Sequence, residues 1–175
     1  MNKKQRRVLV LFADNSSGVL NRITLLFSQK GFNIETITCS VTCVPSISRI
    51  TIVTEGDDTQ INHIIKQTLK LIEVHSVHLI DYSNSIIRDL LLVKIEINDS
   101  NRRKACDITN AHNGLILDIG NKSMIVEITA SASVIDGYLE ALKDFNILEL
   151  SRTGVTSIQL GDEVPDMNIS NKFEY

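Results

Sequence analysis

Residues 14–35 read DNSSGVLNRITLLFSQKGFNIE, and this stretch decides the fold. Asp14, Asn15 and Ser16 are all residue types that cap helix N-termini, and Val19, Leu20, Ile23, Leu26 and Phe27 then recur at the spacing of one helical face. Gly31 supplies the left-handed stop that ends such a helix. A strand, a turn, a helix and a second strand are therefore expected here. The first-turn amides of a helix lack intrahelical acceptors and lie at the positive end of its dipole, so a carboxylate near Gly18 would be stabilised by backbone N–H groups, and a glycine has no Cβ to block it. Asn15 and Asn33 flank the helix and could each offer a carboxamide oxygen to an ammonium group, which suits an α-amino acid. The same residues read equally well as plain structure, with Asn15 capping, Gly18 easing the first turn and Asn33 left-handed after Gly31.

Working outward, strand signals at Val8–Phe12, Ile34–Cys43, Ile47–Thr54 and Val74–Tyr82 alternate with the helix above and with a second helix over Asp57–Leu71. Ile61, Ile64, Ile65, Thr68 and Ile72 share one face of that helix, and Pro45 with Ser46 supplies the hairpin turn. The order is β-α-β-β-α-β, which predicts a four-stranded antiparallel sheet backed by two helices. After the polar break at Ser83, Asn84 and Ser85 the pattern repeats: Leu90–Ile97, a weak helix over Ser100–His112, Leu115–Ile119, Met124–Thr129, a helix over Ser133–Phe145, and one strand over Ile147–Ile158. Val134, Ile135, Tyr138, Leu139, Leu142 and Phe145 form the apolar stripe of the last helix, capped by Ser131 or Ser133. The fold class is thus α+β, two ferredoxin-like β-α-β-β-α-β domains over residues 7–82 and 86–160, with an N-terminal tail at 1–6 and a flexible, polar tail at 161–175.

The chain has 175 residues, 43% of them hydrophobic and 22% charged, with a net charge of −3, a globular composition with no global basic field to attract nucleic acid. The local clusters Lys3, Lys4, Arg6, Arg7 and Arg102, Arg103, Lys104 carry no interleaved aromatic residue and read as solvated surface. No apolar run approaches the ~20 residues of a membrane span, and the first residues lack the apolar core of a signal peptide. Cys39, Cys43 and Cys106 form no C-x-x-C pair, so a reduced, cytoplasmic setting is expected, with Cys39 and Cys43 as buried thiols on one strand face rather than metal ligands. His63, His75, His78 and His112 show no ligand spacing with carboxylates, and no nucleophile elbow, phosphate-binding loop or metalloprotease motif is present. Neither a metal site nor catalytic residues are expected.

The run NSSGVLNRITLLFSQKGFNIETIT followed by SRITIVTEGD resembles the N-terminal ACT domain of the small, regulatory subunit of acetolactate synthase (acetohydroxyacid synthase). In the second half, IIRDLLLVKIEI resembles the start of that family's C-terminal domain and LELSRTGVTSIQLGD its end, so the resemblance runs from Arg6 to Asp162. It implies a non-catalytic subunit without a cofactor of its own, partnered by a large catalytic subunit that carries thiamine diphosphate, magnesium and FAD. It further implies a homodimer through the ACT domain, activation of the catalytic subunit, feedback inhibition by valine or by leucine or isoleucine, and a cytoplasmic or, for a plastid-encoded chain, stromal location. Carried over by position, the effector site falls on Asn15, Gly18, Val19, Leu20, Asn33 and Ile34, at an interface between two ACT domains; Leu20 and Ile34 come from the resemblance alone. Leu25 stands where many members have glycine, and the tail after Asp162 has no counterpart. The rival reading is a free-standing amino-acid sensor acting on another enzyme or on transcription, with a missing helix-turn-helix counting against the latter.

Overall fold

The computed structural model describes residues 4–162 and 164–167; the parts of the expected tails at 1–3, 163 and 168–175 lie outside the described residues. The chain forms two compact units, residues 1–86 with 155–175, and residues 87–154.

The first unit opens with β1 (Gln5–Asp14), followed by α1 (Val19–Gln29), β2 (Ile34–Val41), β3 (Ile47–Gly56), α2 (Asp58–Thr68) and β4 (Val74–Leu79), in an antiparallel sheet ordered β2-β3-β1-β4. Leu9, Leu11 and Ala13 of the central strand meet Ile23 and Phe27 of α1 and Ile61 and Ile64 of α2 in one buried core. Arg6 and Arg7, expected in a solvated tail, already belong to β1 and are paired, Arg6 Nε with Glu35 Oε2 at 2.8 Å and Arg7 with Asp58.

Gly31 (φ +75°) ends α1 in a Schellman motif: Phe32 N–H bonds Phe27 O at 2.9 Å, Gly31 N–H bonds Ser28 O at 3.0 Å, and the Phe27 and Phe32 rings meet edge-on at 6.1 Å. The start of α1 differs from expectation, because its N-cap is Gly18 itself and no side chain caps it. Asp14 and Asn15 are used elsewhere: Asp14 Oδ1 pairs with His75 Nε2 at 2.7 Å, and Asn15 reaches into the β2–β3 turn. In α2 the capping box is formed by Asp57 and Gln60, but the helix stops at Thr68, leaving Ile72 beyond it and 82% exposed rather than in the core. Cys39 and Cys43 are exposed, not buried, since β2 is an edge strand that ends at Val41.

The second unit contains β5 (Ser85–Glu96), α3 (Arg102–Ala111), β6 (Leu115–Ile119), β7 (Ser123–Ala130), α4 (Ala132–Ala141) and β8 (Ile147–Arg152), with sheet order β6-β7-β5-β8. Its core joins Leu91, Val93 and Ile95 to Val126, Ile128, Ile135 and Tyr138. Val134, placed in the apolar stripe by periodicity, is exposed. The weak helix fully buries Ala105 and Thr109, and it meets α4 through the hydrogen bond of Thr109 Oγ1 with Tyr138 Oη at 3.1 Å and the edge-on contact of the His112 and Tyr138 rings at 5.3 Å. Burial pushes the Tyr138 phenol above its ordinary value, and the Thr109 bond opposes this only in part. The folded unit therefore keeps a proton that the unfolded chain releases above about pH 10, and stability falls as pH rises past that value. Tyr138→Phe is expected to lose about 1 kcal/mol at neutral pH, because Thr109 keeps its bond to Ala105 O, and to show a flatter alkaline decline in urea denaturation.

The strand expected over Ile147–Ile158 is broken. Gly154 turns the chain at φ +84°, β8 ends at Arg152, and β9 (Thr156–Gln159) falls with the first unit, where Arg49 donates to Ser157 O and Leu160 N–H bonds Asn84 O at 3.0 Å. The compact second unit ends at Gly154, and β9 pairs with β5. Part of the segment expected as a flexible tail also lies on the first unit, with Asp166 O 3.0 Å from His78 Nε2.

Candidate functional site

Asn15, Gly18, Val19 and Leu20 gather at the N-terminal mouth of α1. Asn15 Nδ2 donates to Pro45 O at 2.9 Å, its Oδ1 accepts from the Ser48 hydroxyl at 3.1 Å, and its N–H bonds Ser46 O at 2.7 Å. The carboxamide is thereby fixed in orientation, and one lone pair of Oδ1 is left over. Gly18 sits at φ +87°, a left-handed conformation natural to glycine, and is exposed. Val19 N–H reaches Ser16 O at 3.4 Å, and with no side-chain cap the opening amides of α1 point outward. Val19 is buried in the core, whereas Leu20 is 40% exposed, so its face of the helix is turned away from the core that the periodicity assigned it to.

Asn33 and Ile34 lie at the other end. Asn33 is exposed, its carbonyl accepts from the Thr54 hydroxyl at 2.7 Å, and Ile34 is half-buried against the core. Asn33 is not left-handed; among the described residues Asn113 is the non-glycine with positive φ. The eleven residues of α1 separate Gly18 from Asn33 by about 16 Å along the helix axis, so one chain does not bring the two groups to a common small molecule.

Two pairs at the mouth escaped the sequence reading. Arg22 Nη2 lies 2.8 Å from Glu73 Oε1, and Glu73 O accepts the Asp14 N–H at 2.9 Å, while the His75 side chain is buried on Asp14. Arg22 was findable, since four residues beyond Gly18 it lies on the same helix face; nothing in the sequence announces Glu73 or His75 as its neighbours. Among the described residues no group of three or more His, Cys, Asp or Glu side chains is placed to hold a metal ion, and no helix is long and apolar enough to cross a membrane.

A family model described as "AHAS small subunit-like ACT domain" matches residues 9–76, and one described as "Small subunit of acetolactate synthase" matches residues 88–161. The acetolactate synthase small subunit of Buchnera aphidicola subsp. Schizaphis graminum is 37% identical over 157 residues, 89% of this chain and 99% of that one. The chain belongs to the acetolactate synthase small-subunit family. The isozyme 3 small subunit of Escherichia coli is 34% identical over 91% of this chain and 98% of its own length. The crystal structure of the Thermotoga maritima acetolactate synthase small subunit superposes with a TM-score of 0.84 at 29% identity, covering 91% of this chain and 99% of that one. Membership makes this protein a regulatory subunit in branched-chain amino acid synthesis, with the catalytic subunit as its partner. Leu25 is 51% exposed and so lies on the outer surface of α1 rather than in the core.

Proposed function

We propose that this small subunit raises the activity of a thiamine-diphosphate-dependent catalytic subunit and carries feedback inhibition by valine, leucine or isoleucine bound between two copies of its first unit. The observation that carries this reading is the separation of the half-sites. Asn15 and Gly18 stand at one end of α1 and Asn33 and Ile34 at the other, so a ligand touching both sets needs two chains.

The topology supplies the symmetric solution. β2 is a sheet edge whose backbone is open to a further strand, and it runs from Ile34 to Val41, where it pairs with Ser48, the residue bonded to Asn15. An antiparallel pairing of β2 with a second β2 sets the start of one strand beside the end of the other. Asn33 and Ile34 of one copy then approach Asn15, Gly18, Val19 and Leu20 of its partner, twice per dimer. In each site the α1 amides face the amino acid's carboxylate, the two carboxamide oxygens its ammonium, and Leu20 and Ile34 its branched side chain. A ligand bridging two chains favours one relative orientation of them, and a coupling of about 1–3 kcal/mol gives a 5–150-fold effect on a distant partner.

The test is acetolactate formation by the cognate catalytic subunit, alone and with this protein, each with and without millimolar valine, leucine and isoleucine. Activation that one of the amino acids reverses is the expected result. Activation without sensitivity removes the effector site, and no activation removes the proposed role.

A further inference from the structure

A cation stands directly in front of Gly18. A Cβ built on Gly18 would lie 3.3 Å from Arg22 Nη1 and 3.9 Å from its Cζ, so the missing side chain leaves a gap that the guanidinium borders. That guanidinium is steered from the far side, with Nη2 on Glu73 Oε1 at 2.8 Å. The partners differ in exposure: the Glu73 side chain is 20% exposed and the Arg22 side chain 47%, so the acid acts as a fixed bracket while the cation keeps donors toward solvent.

The charges around the gap make this cation matter. Asp14 and Glu73 both place carboxylates at this end of the unit, Asp14 on the His75 ring and Glu73 on Arg22. A third carboxylate arriving at Gly18 meets that negative charge, and partial charges on backbone amides offset only part of it. Arg22 has a full charge and a planar fork of donors, one edge of which is turned to Gly18.

We infer that Arg22, held in place by Glu73, recognises the carboxylate of the amino-acid effector at Gly18. This rests on the effector reading above and adds a specificity-determining residue to it: the site takes α-amino acids and discriminates against derivatives whose carboxyl group is neutral.

The experiment is calorimetric binding of valine, leucine and isoleucine, each beside its own α-carboxamide, to the full-length protein and to Arg22→Gln, Arg22→Lys and Glu73→Gln, all checked by circular dichroism for native fold. The unmodified protein is expected to prefer the acid over the amide by at least tenfold. Arg22→Gln loses at least tenfold in affinity for the acid and little for the amide, Arg22→Lys falls between, and Glu73→Gln keeps the preference because the cation remains. Parallel loss of acid and amide in Arg22→Gln, or unchanged acid binding, overturns the inference and leaves the effector site standing. Absence of binding of all three amino acids to the unmodified protein overturns both.

Discussion

Gly18→Asp is expected to abolish feedback inhibition while the variant still activates the catalytic subunit. Two effects separate at this position. The backbone cost is local: any L side chain is strained at φ +87°, but α1 is anchored by Ile23 and Phe27 and not by its first residue, so the helix survives. The cost to the ligand is large. The new carboxylate occupies the gap beside Arg22 Nη1 and takes over the guanidinium that faces it. It also sets a like charge about 4 Å from any incoming carboxylate, worth about 4 kcal/mol near a protein surface, or roughly a thousandfold in affinity. An inhibition curve for valine, leucine and isoleucine, run beside an activation titration, reads both effects. Gly18→Ala serves as the control for left-handed strain and for the Cβ itself, which meets only the movable end of Arg22, and is expected to shift the curve by a smaller factor. Inhibition retained by Gly18→Asp within tenfold of the unmodified protein would place the effector elsewhere.

The same residues show where sequence reading succeeds and where it stops. Signals that act within one turn of chain were legible. Gly31 closes a Schellman motif with Phe27 and Phe32 where a stop was expected, and the alternation of strand and helix gives both sheets. What failed depends on partners distant in sequence. Asp14 and Asn15 have the chemistry of helix caps, but His75, Pro45 and Ser48 compete for them and win, so Gly18 becomes the N-cap. Periodicity gave Leu20 and Val134 to cores although both are exposed, since a stripe fixes a helix's direction only to within its own width, and it gave Ile72 to a helix that stops at Thr68. The break after Arg152 is local in origin, a single left-handed glycine at 154, yet alternating strand-like sequence on both sides hid it. For the site, the glycine and both asparagines were readable as types, whereas their placement at opposite ends of α1 and the Arg22–Glu73 pair required the fold.

Arg152→Met is expected to destabilise the second unit by about 3–5 kcal/mol, because it strands a carboxylate that water hardly reaches. Asp89 lies within β5 opposite Ala130 of β7, its side chain is only 1% exposed, and its Oδ2 accepts from Arg152 Nε at 2.5 Å. Arg152 Nη1 reaches on to Asp136 Oδ1 of α4 at 2.7 Å, so one guanidinium ties β5, β8 and α4 together. Burial alone would lower the Arg152 pKa, but the carboxylates of Asp136 and Asp89 outweigh it and the net shift is upward. Removing the cation leaves Asp136, which is exposed, free to hydrate, whereas Asp89 meets the Thr153 hydroxyl at 3.4 Å, too long to replace an ion pair. At about 0.05–0.15 kcal/mol per residue, a unit of this size holds only several kcal/mol in total, so the loss consumes most of it. Denaturant unfolding of Arg152→Met, Asp89→Leu and the double variant separates charge from packing. The double variant should recover a large part of the Arg152→Met loss, since two apolar residues leave no buried charge. Strictly additive losses would mean that Arg152 stabilises by its aliphatic contacts and not through Asp89.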